Sequence, residues 1–134
     1  MALKTYAGSC HCGVVRYEAD VDLMAVTGRC NCSFCGRTRA WSVLLKPDAF
    51  RLVSGADAMS DYQFATMAGH HRFCKTCGVT THGDGDIAAL GGKFVSVAVA
   101  TLGASDEELA AAPIMYQNGR DNDWQHAPNV TSYL

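Results

Sequence analysis

The sequence predicts one small, mainly β domain spanning residues 1–134. Three observations carry that expectation. The chain has 134 residues, the size of a single hydrophobic core. Apolar residues make up 49 % and charged residues 18 %, which excludes a disordered chain. Several segments alternate apolar and polar residues with period two, and only one stretch carries a helix signal.

In chain order, Val15, Tyr17 and Ala19 alternate with Arg16 and Glu18, as in a half-buried strand. Trp41 to Leu45 is a short apolar run. Lys46-Pro47-Asp48 is a turn signal, and Phe50 to Val53 follows as a further strand. Tyr62, Phe64 and Thr66 alternate with Gln63, Ala65 and Met67. Val95, Val97 and Val99 form a β-branched face after the break at Gly91-Gly92. Ser105 and Glu108 form a capping box for the one expected helix, and Pro113 stops it. From Gly119 to Leu134 the chain reads as a polar, irregular tail. There is no linker, repeat or low-complexity segment.

The formal charge of −2 and a pI near 6.2 argue against nucleic-acid binding, which needs a clustered positive footprint. No apolar run approaches the ~20 residues that cross a bilayer. The segment Met1 to Cys10 lacks the apolar stretch of a signal peptide, so a cytoplasmic location away from membranes is expected.

Seven cysteines stand at 10, 12, 30, 32, 35, 74 and 77. An odd number excludes a complete intramolecular disulfide set, and a reducing cytosol disfavours one. Close pairs in such a chain read as metal ligands. A Cys-x-x-Cys turn lets two thiolates meet one zinc ion while nearby N–H groups stabilise the sulfurs. Gly13, Gly36 and Gly78 each follow a cysteine, where glycine lets the chain turn with positive φ.

Structural zinc takes four protein ligands, and catalytic zinc keeps a position open. Cys30, Cys32 and Cys35 are compact enough to supply three sulfurs to one ion, leaving Cys10, Cys12, Cys74 and Cys77 to close a four-sulfur site. Alternatively, Cys10 and Cys12 share a metal with Cys30 and Cys32. That leaves Cys35, Cys74 and Cys77 for a second ion and parts Cys35 from its own triplet. Of the histidines, His11 is expected to point away from a metal bound by both its neighbours. His71 reads as a satisfied structural histidine, with His71 or His82 as the alternative proton carrier near the triplet.

Gly8-Ser9-Cys10-His11-Cys12-Gly13-Val14-Val15-Arg16-Tyr17 resembles the opening of the glutathione-dependent formaldehyde-activating enzyme family, which also includes centromere protein V. Cys30-Asn31-Cys32-Ser33-Phe34-Cys35 resembles its second signature, and Phe73-Cys74-Lys75-Thr76-Cys77-Gly78-Val79 its third. Asp61 to Phe64, through His71, fits as well, and the likeness covers roughly residues 5–100.

The resemblance implies a β-tent fold of small antiparallel sheets around two Zn2+ ions. Cys10, Cys12, Cys74 and Cys77 would hold structural zinc, and Cys30, Cys32 and Cys35 catalytic zinc. The implied activity is that of a carbon–sulfur lyase forming or cleaving a thiol–aldehyde adduct, with glutathione and formaldehyde giving S-hydroxymethylglutathione. Glutathione carries two carboxylates, one of which Arg37 and Arg39 are expected to bind through forked hydrogen bonds, the alternative being that both are solvated surface residues. Phe34 and Trp41 are expected to wall the pocket. The C-terminal third departs from the family, with Leu102-Gly103-Ala104 where Leu-Asp-Asp is common and Ile114-Met115-Tyr116 where a histidine is common. Trp124 matches a late tryptophan. These departures concern substrate rather than metal. The competing class is a non-catalytic, zinc-stabilised module for thiol binding or protein interaction. A chromatin role like that of centromere protein V is disfavoured by the acidic balance.

Overall fold

A computed structural model describes residues 3–134, so Met1 and Ala2, part of the expected 1–134 domain and of the Met1 to Cys10 segment read above, lie outside the described residues. Strands dominate, as the alternating pattern predicts. β1 (Lys4–Ser9), β2 (Arg16–Val21) and, later in the chain, a strand at Phe50–Ser54 form a three-stranded antiparallel sheet with β2 in the middle. The other strands form a seven-stranded sheet. They are β3 (Thr27–Cys30), β4 (Ser42–Leu45), β6 (Met59–Tyr62), β7 (His70–Cys74), β8 (Thr80–Ile87), β9 (Gly92–Ala98) and β10 (Ile114–Gln117); the Phe50–Ser54 strand of the small sheet, fifth in chain order, is β5. The spatial order of the large sheet is β10-β3-β4-β9-β8-β7-β6. All its pairs are antiparallel except β10 with β3, which run parallel, a pairing that the short strands gave no hint of.

The main core lies between the two sheets. β2 buries Tyr17, Ala19 and Val21 and turns Arg16 and Glu18 outward, as its period of two requires. They meet Tyr6 of β1, Val43 of β4 and Val95 and Val97 of β9. Gly8 faces the Tyr17 ring so closely that a Cβ there would overlap it. The Tyr17 hydroxyl finds the Thr101 hydroxyl at 2.7 Å, which satisfies its polar end inside the core.

Two α-helices, α1 (Ser33–Thr38) and α2 (Asp106–Ala111), are each six residues long. In α2 the Glu108 N–H donates to Ser105 Oγ at 3.1 Å and the Ser105 N–H donates to Glu108 Oε1 at 3.0 Å, closing the expected capping box. No helix among the described residues is long and apolar enough to cross a membrane.

Three expectations need correction. The alternation across Tyr62, Phe64 and Thr66 does not continue as a strand. β6 ends at Tyr62, and Ala65 and Met67 take positive φ of 54° and 62° in the turn that follows. Val99 leaves β9 for a short 3-10 turn but stays buried. Gly36 lies within α1, so only Gly13 and Gly78 of the three Cys-Gly steps use positive φ, at 84° and 78°.

Candidate metal centres and the cleft beside them

Cys10 and Cys12 sit in the turn between β1 and β2, while Cys74 ends β7 and Cys77 lies in the turn that leads to β8. The fold closes these turns on each other. The four sulfurs lie within 4.8 Å of one another. Cys10 Sγ is 3.7 Å from Cys12 Sγ, and Cys12 Sγ is 3.7 Å from Cys74 Sγ. Sulfurs bound at about 2.3 Å around a tetrahedral zinc sit about 3.8 Å apart, so the spacing fits that ion.

Backbone donors aim at the sulfurs. The Val15 N–H donates to Cys10 Sγ at 3.4 Å, and the N–H groups of Thr76 and Cys77 donate to Cys74 Sγ at 3.3 and 3.5 Å. Backbone N–H groups of Cys12 and Val79 lower the Cys77 thiol to about 6, which favours the thiolate a metal needs. Val15, Ala58, Met59 and Val79 pack around the cluster.

Cys30, Cys32 and Cys35 form the second group, also within 4.8 Å, with no histidine or carboxylate joining it among the described residues. Its geometry is local. Cys30 ends β3 and Cys32 is the N-cap of α1, its sulfur accepting from the Cys35 N–H at 3.3 Å. Cysteine thus takes the place that serine or aspartate usually fills at a helix start. The Cys32 N–H donates to Cys30 Sγ at 3.4 Å. The hydrogen bond from Cys35, joined by the N–H groups of Cys32 and Gly119, holds the Cys30 thiol down to about 5, whereas the same partnership raises Cys35. Protons are thus shared unequally in a crowded thiol set.

Gly119 and Asn31 are site residues that the sequence reading missed. A Cβ at Gly119 would come within 2.6 Å of both Cys30 Sγ and the Trp124 ring, so only glycine admits the two together. Asn31 is 3 % exposed, and its amide donates to Asn118 Oδ1 at 2.9 Å while its oxygen accepts from the Arg120 N–H at 3.0 Å. The Asn31 N–H donates to the Gln117 carbonyl at 3.2 Å. The segment read as an irregular tail is therefore tied to the triplet loop. A short amide between two cysteines, able to bridge backbone groups, was the available signal for Asn31. Nothing local marked Gly119.

A cleft of about 440 Å3 opens beside α1, lined by Ser33, Phe34, Arg37, Thr38, Tyr62 and Phe64. Phe34 and Arg37 line this cleft, whose lining includes none of the three cysteines, and Arg37 also donates to the Ser33 carbonyl at 2.9 Å. Arg39 does not line this cleft; it is the left-handed C-cap of α1 with φ 58°. Trp41 does not line it either. Its ring packs on the main core, its Nε1 donates to Thr27 Oγ1 at 2.7 Å, and the Arg29 guanidinium covers its face. An indole N–H next to a core needs such a partner, and the Thr27 hydroxyl supplies it from the neighbouring strand.

The histidines divide. His11 is exposed. His82 is buried against Phe50, with Nδ1 2.9 Å from Thr81 Oγ1, and burial lowers it to about 4. His71 sets its ring edge against Phe34 at 4.3 Å, and its buried Nδ1 has no hydrogen-bond partner among the described residues. It is therefore not the satisfied structural histidine the sequence suggested. Burial lowers its pKa and keeps it neutral.

The family pattern described as glutathione-dependent formaldehyde-activating enzyme matches residues 5–118, extending past the third cysteine motif to include β10. A Halomonas elongata protein, provisionally named a glutathione-dependent formaldehyde-activating enzyme, is 37 % identical over 78 residues, covering 52 % of this chain and 50 % of that one. The chain thus spans about half the length of this curated relative. A crystal structure of a Rhodobacter sphaeroides protein superposes with a TM-score of 0.68 at 35 % identity, covering 81 % of this chain and 99 % of that one. With the pattern matched over most of its length and both cysteine groups assembled, the chain belongs to the glutathione-dependent formaldehyde-activating enzyme family.

Proposed function

We propose that the protein is a carbon–sulfur lyase that forms or cleaves a thiol–aldehyde adduct, with glutathione and formaldehyde as the pair its family name suggests. Cys30, Cys32 and Cys35 hold a catalytic zinc, and Cys10, Cys12, Cys74 and Cys77 hold a structural one. The observation that carries this is the donor count: three thiols gather within 4.8 Å of one another, and no fourth side-chain ligand joins them among the described residues. A closed four-ligand second site would have favoured a binding module instead.

Cys30, Cys32 and Cys35 would hold the zinc ion, which when bound would supply an open position and favour ionisation of an incoming thiol. The chain's own residues do the rest. The Cys35 side chain and the backbone N–H groups of Cys32 and Gly119 lower the Cys30 thiol, which favours its anionic form. Arg37, on the cleft wall, has guanidinium N–H groups beyond the one given to Ser33 with which to bind a glutathione carboxylate. Phe34 keeps the cleft floor apolar and excludes water from the reacting carbon. In the forward direction the thiol sulfur adds to the carbonyl carbon. A C–S bond forms, the π pair moves to oxygen, and the thiol's proton ends there. Cleavage is the reverse. Seven free thiols and a thiol substrate suit the reducing cytoplasm, where we place the protein.

The adduct forms unaided, so the test is a rate. NMR exchange between labelled formaldehyde, glutathione and adduct is expected to accelerate in proportion to protein carrying two zinc ions per chain by elemental analysis. The gain is larger near neutral pH than at pH 9, because a free thiol of pKa about 8.5 is already largely ionised there. No gain with any thiol–carbonyl pair overturns the lyase assignment in favour of a binding module.

A further inference from the structure

Phe34 belongs to α1, whereas Tyr62 and Phe64 come from the end of β6 and the turn after it. The three rings nonetheless meet. Their centroids are 5.2 Å apart for Phe34 and Phe64, 5.6 Å for Tyr62 and Phe64, and 5.8 Å for Phe34 and Tyr62. Their planes differ by only 28°, 26° and 20° in the same order. Every pair is offset-stacked, the favoured arrangement of aromatic quadrupoles. The Gln63 amide donates to the Met67 carbonyl at 2.7 Å and holds the turn that carries Phe64. The His71 edge braces Phe34 at 74° to its plane.

Such a trio would be buried if its task were packing. Tyr62 is instead 49 % exposed and Phe64 36 %, and all three rings line the cleft. No carboxylate lines it, and Arg37 is its cation. The platform starts at Phe34, on the same helical turn as Cys32 and Cys35. A one-carbon aldehyde is too small to cover three rings. A planar aryl group on the aldehyde has the π face to extend the stack at the exposed Tyr62 and Phe64 rings.

Resting on the lyase chemistry above, we propose that Phe34, Tyr62 and Phe64 are a specificity platform selecting aldehydes that bear a planar aryl substituent. The reaction stays an addition of thiol S–H across the aldehyde C=O, with the proton ending on oxygen and no change in oxidation state.

Two measurements on the zinc-replete full chain test the platform separately from the chemistry. The first is calorimetric binding of S-benzylglutathione and S-methylglutathione, thioethers that mimic adducts with and without the ring. Wild type is expected to bind the benzyl compound about tenfold tighter, the effect of one or two aromatic pairs. Tyr62→Leu and Phe64→Leu, which keep apolar bulk but lose the π face, bring the two within about twofold. Circular dichroism and zinc content check that these variants fold. The second measurement is NMR exchange with glutathione and either phenylglyoxal or methylglyoxal, where wild type is expected to accelerate the aryl substrate more and the leucine variants lose the preference.

Aryl-selective binding that both leucine variants abolish, without acceleration of any thiol–carbonyl pair, formaldehyde included, upholds the platform and overturns the lyase assignment. Equal acceleration of both aldehydes, with benzyl and methyl thioethers bound alike, upholds the lyase and overturns the platform. Discrimination that survives in both leucine variants also overturns it.

Discussion

The four-cysteine group joins chain segments far apart, with Cys12 and Cys74 separated by 62 positions, whereas the three-cysteine group lies within one turn and the start of one helix. Cys10 and Cys74 are 3 % and 0 % exposed and packed by Val15, Met59 and Val79; Cys32 and Cys35 are half-buried. Under the proposed assignment, one ligand type serves two ends. A metal that pins distant turns converts its binding energy into folding energy. A metal on a preformed local loop adds little to the fold and leaves its open side to a substrate. What supports the local group from outside is the C-terminal segment, through Asn31, Asn118 and the Arg120 backbone.

The largest expected effect breaks that contrast or keeps it. Cys74→Ser removes a fully buried ligand from the long-range cluster, and the loss is expected to exceed about 5 kcal/mol, enough to abolish cooperative thermal unfolding. Cys35→Ser should lower stability by about 1 kcal/mol, a few degrees in melting temperature, while zinc content falls from two to one per chain. Equal melting temperatures for the two variants would reverse or erase the assigned roles.

Next in size is Asn31→Ala. It leaves the Arg120 N–H and the Asn118 side chain without their buried partner, so urea unfolding should show a loss of about 2–4 kcal/mol. Zinc on the triplet should weaken about 10–100-fold in chelator competition, as for other supports of a metal loop, while zinc on the tetrad holds. Unchanged triplet affinity would mean that the C-terminal segment only packs against the loop.

The smallest effect separates two arginines. Arg37→Ala should weaken glutathione binding by calorimetry by about 1 kcal/mol, or roughly fivefold, since a solvent-exposed ion pair is modest. Arg37→Lys restores part, lacking the planar fork. Arg39→Ala should change nothing, because Arg39 caps α1 away from the cleft wall. Equal losses from both alanine variants would move the thiol out of the cleft.

Local rules carried much of the molecule. The α2 capping box was legible because Ser105 and Glu108 bond each other's backbone within one turn. The strand β2 was legible because one sheet face meets the core and the other meets water. The likeness to the family's cysteine motifs carried the grouping of the sulfurs, which spacing alone left open. Where local pattern misled, a contact from another segment had intervened. The alternation after Asp61 reads as strand, yet the turn of Gln63 to Met67 lifts Phe64 onto Phe34 instead. Trp41 reads as a pocket wall from its closeness to Cys35, yet the Thr27 hydroxyl and the core draw it to the opposite side.

The sequence by itself determined the short-range geometry: which cysteines share a turn, where helix α2 starts and which face of β2 is buried. These depend on bond lengths, caps and periodicity within a few residues. The parallel pairing of β10 with β3, the closure of Gly119 and Asn31 around the triplet, and the stacking of three rings from two segments arise from tertiary contacts. Each needs residues brought together across loops whose closure cost is repaid by the whole core, so no local window contains its cause.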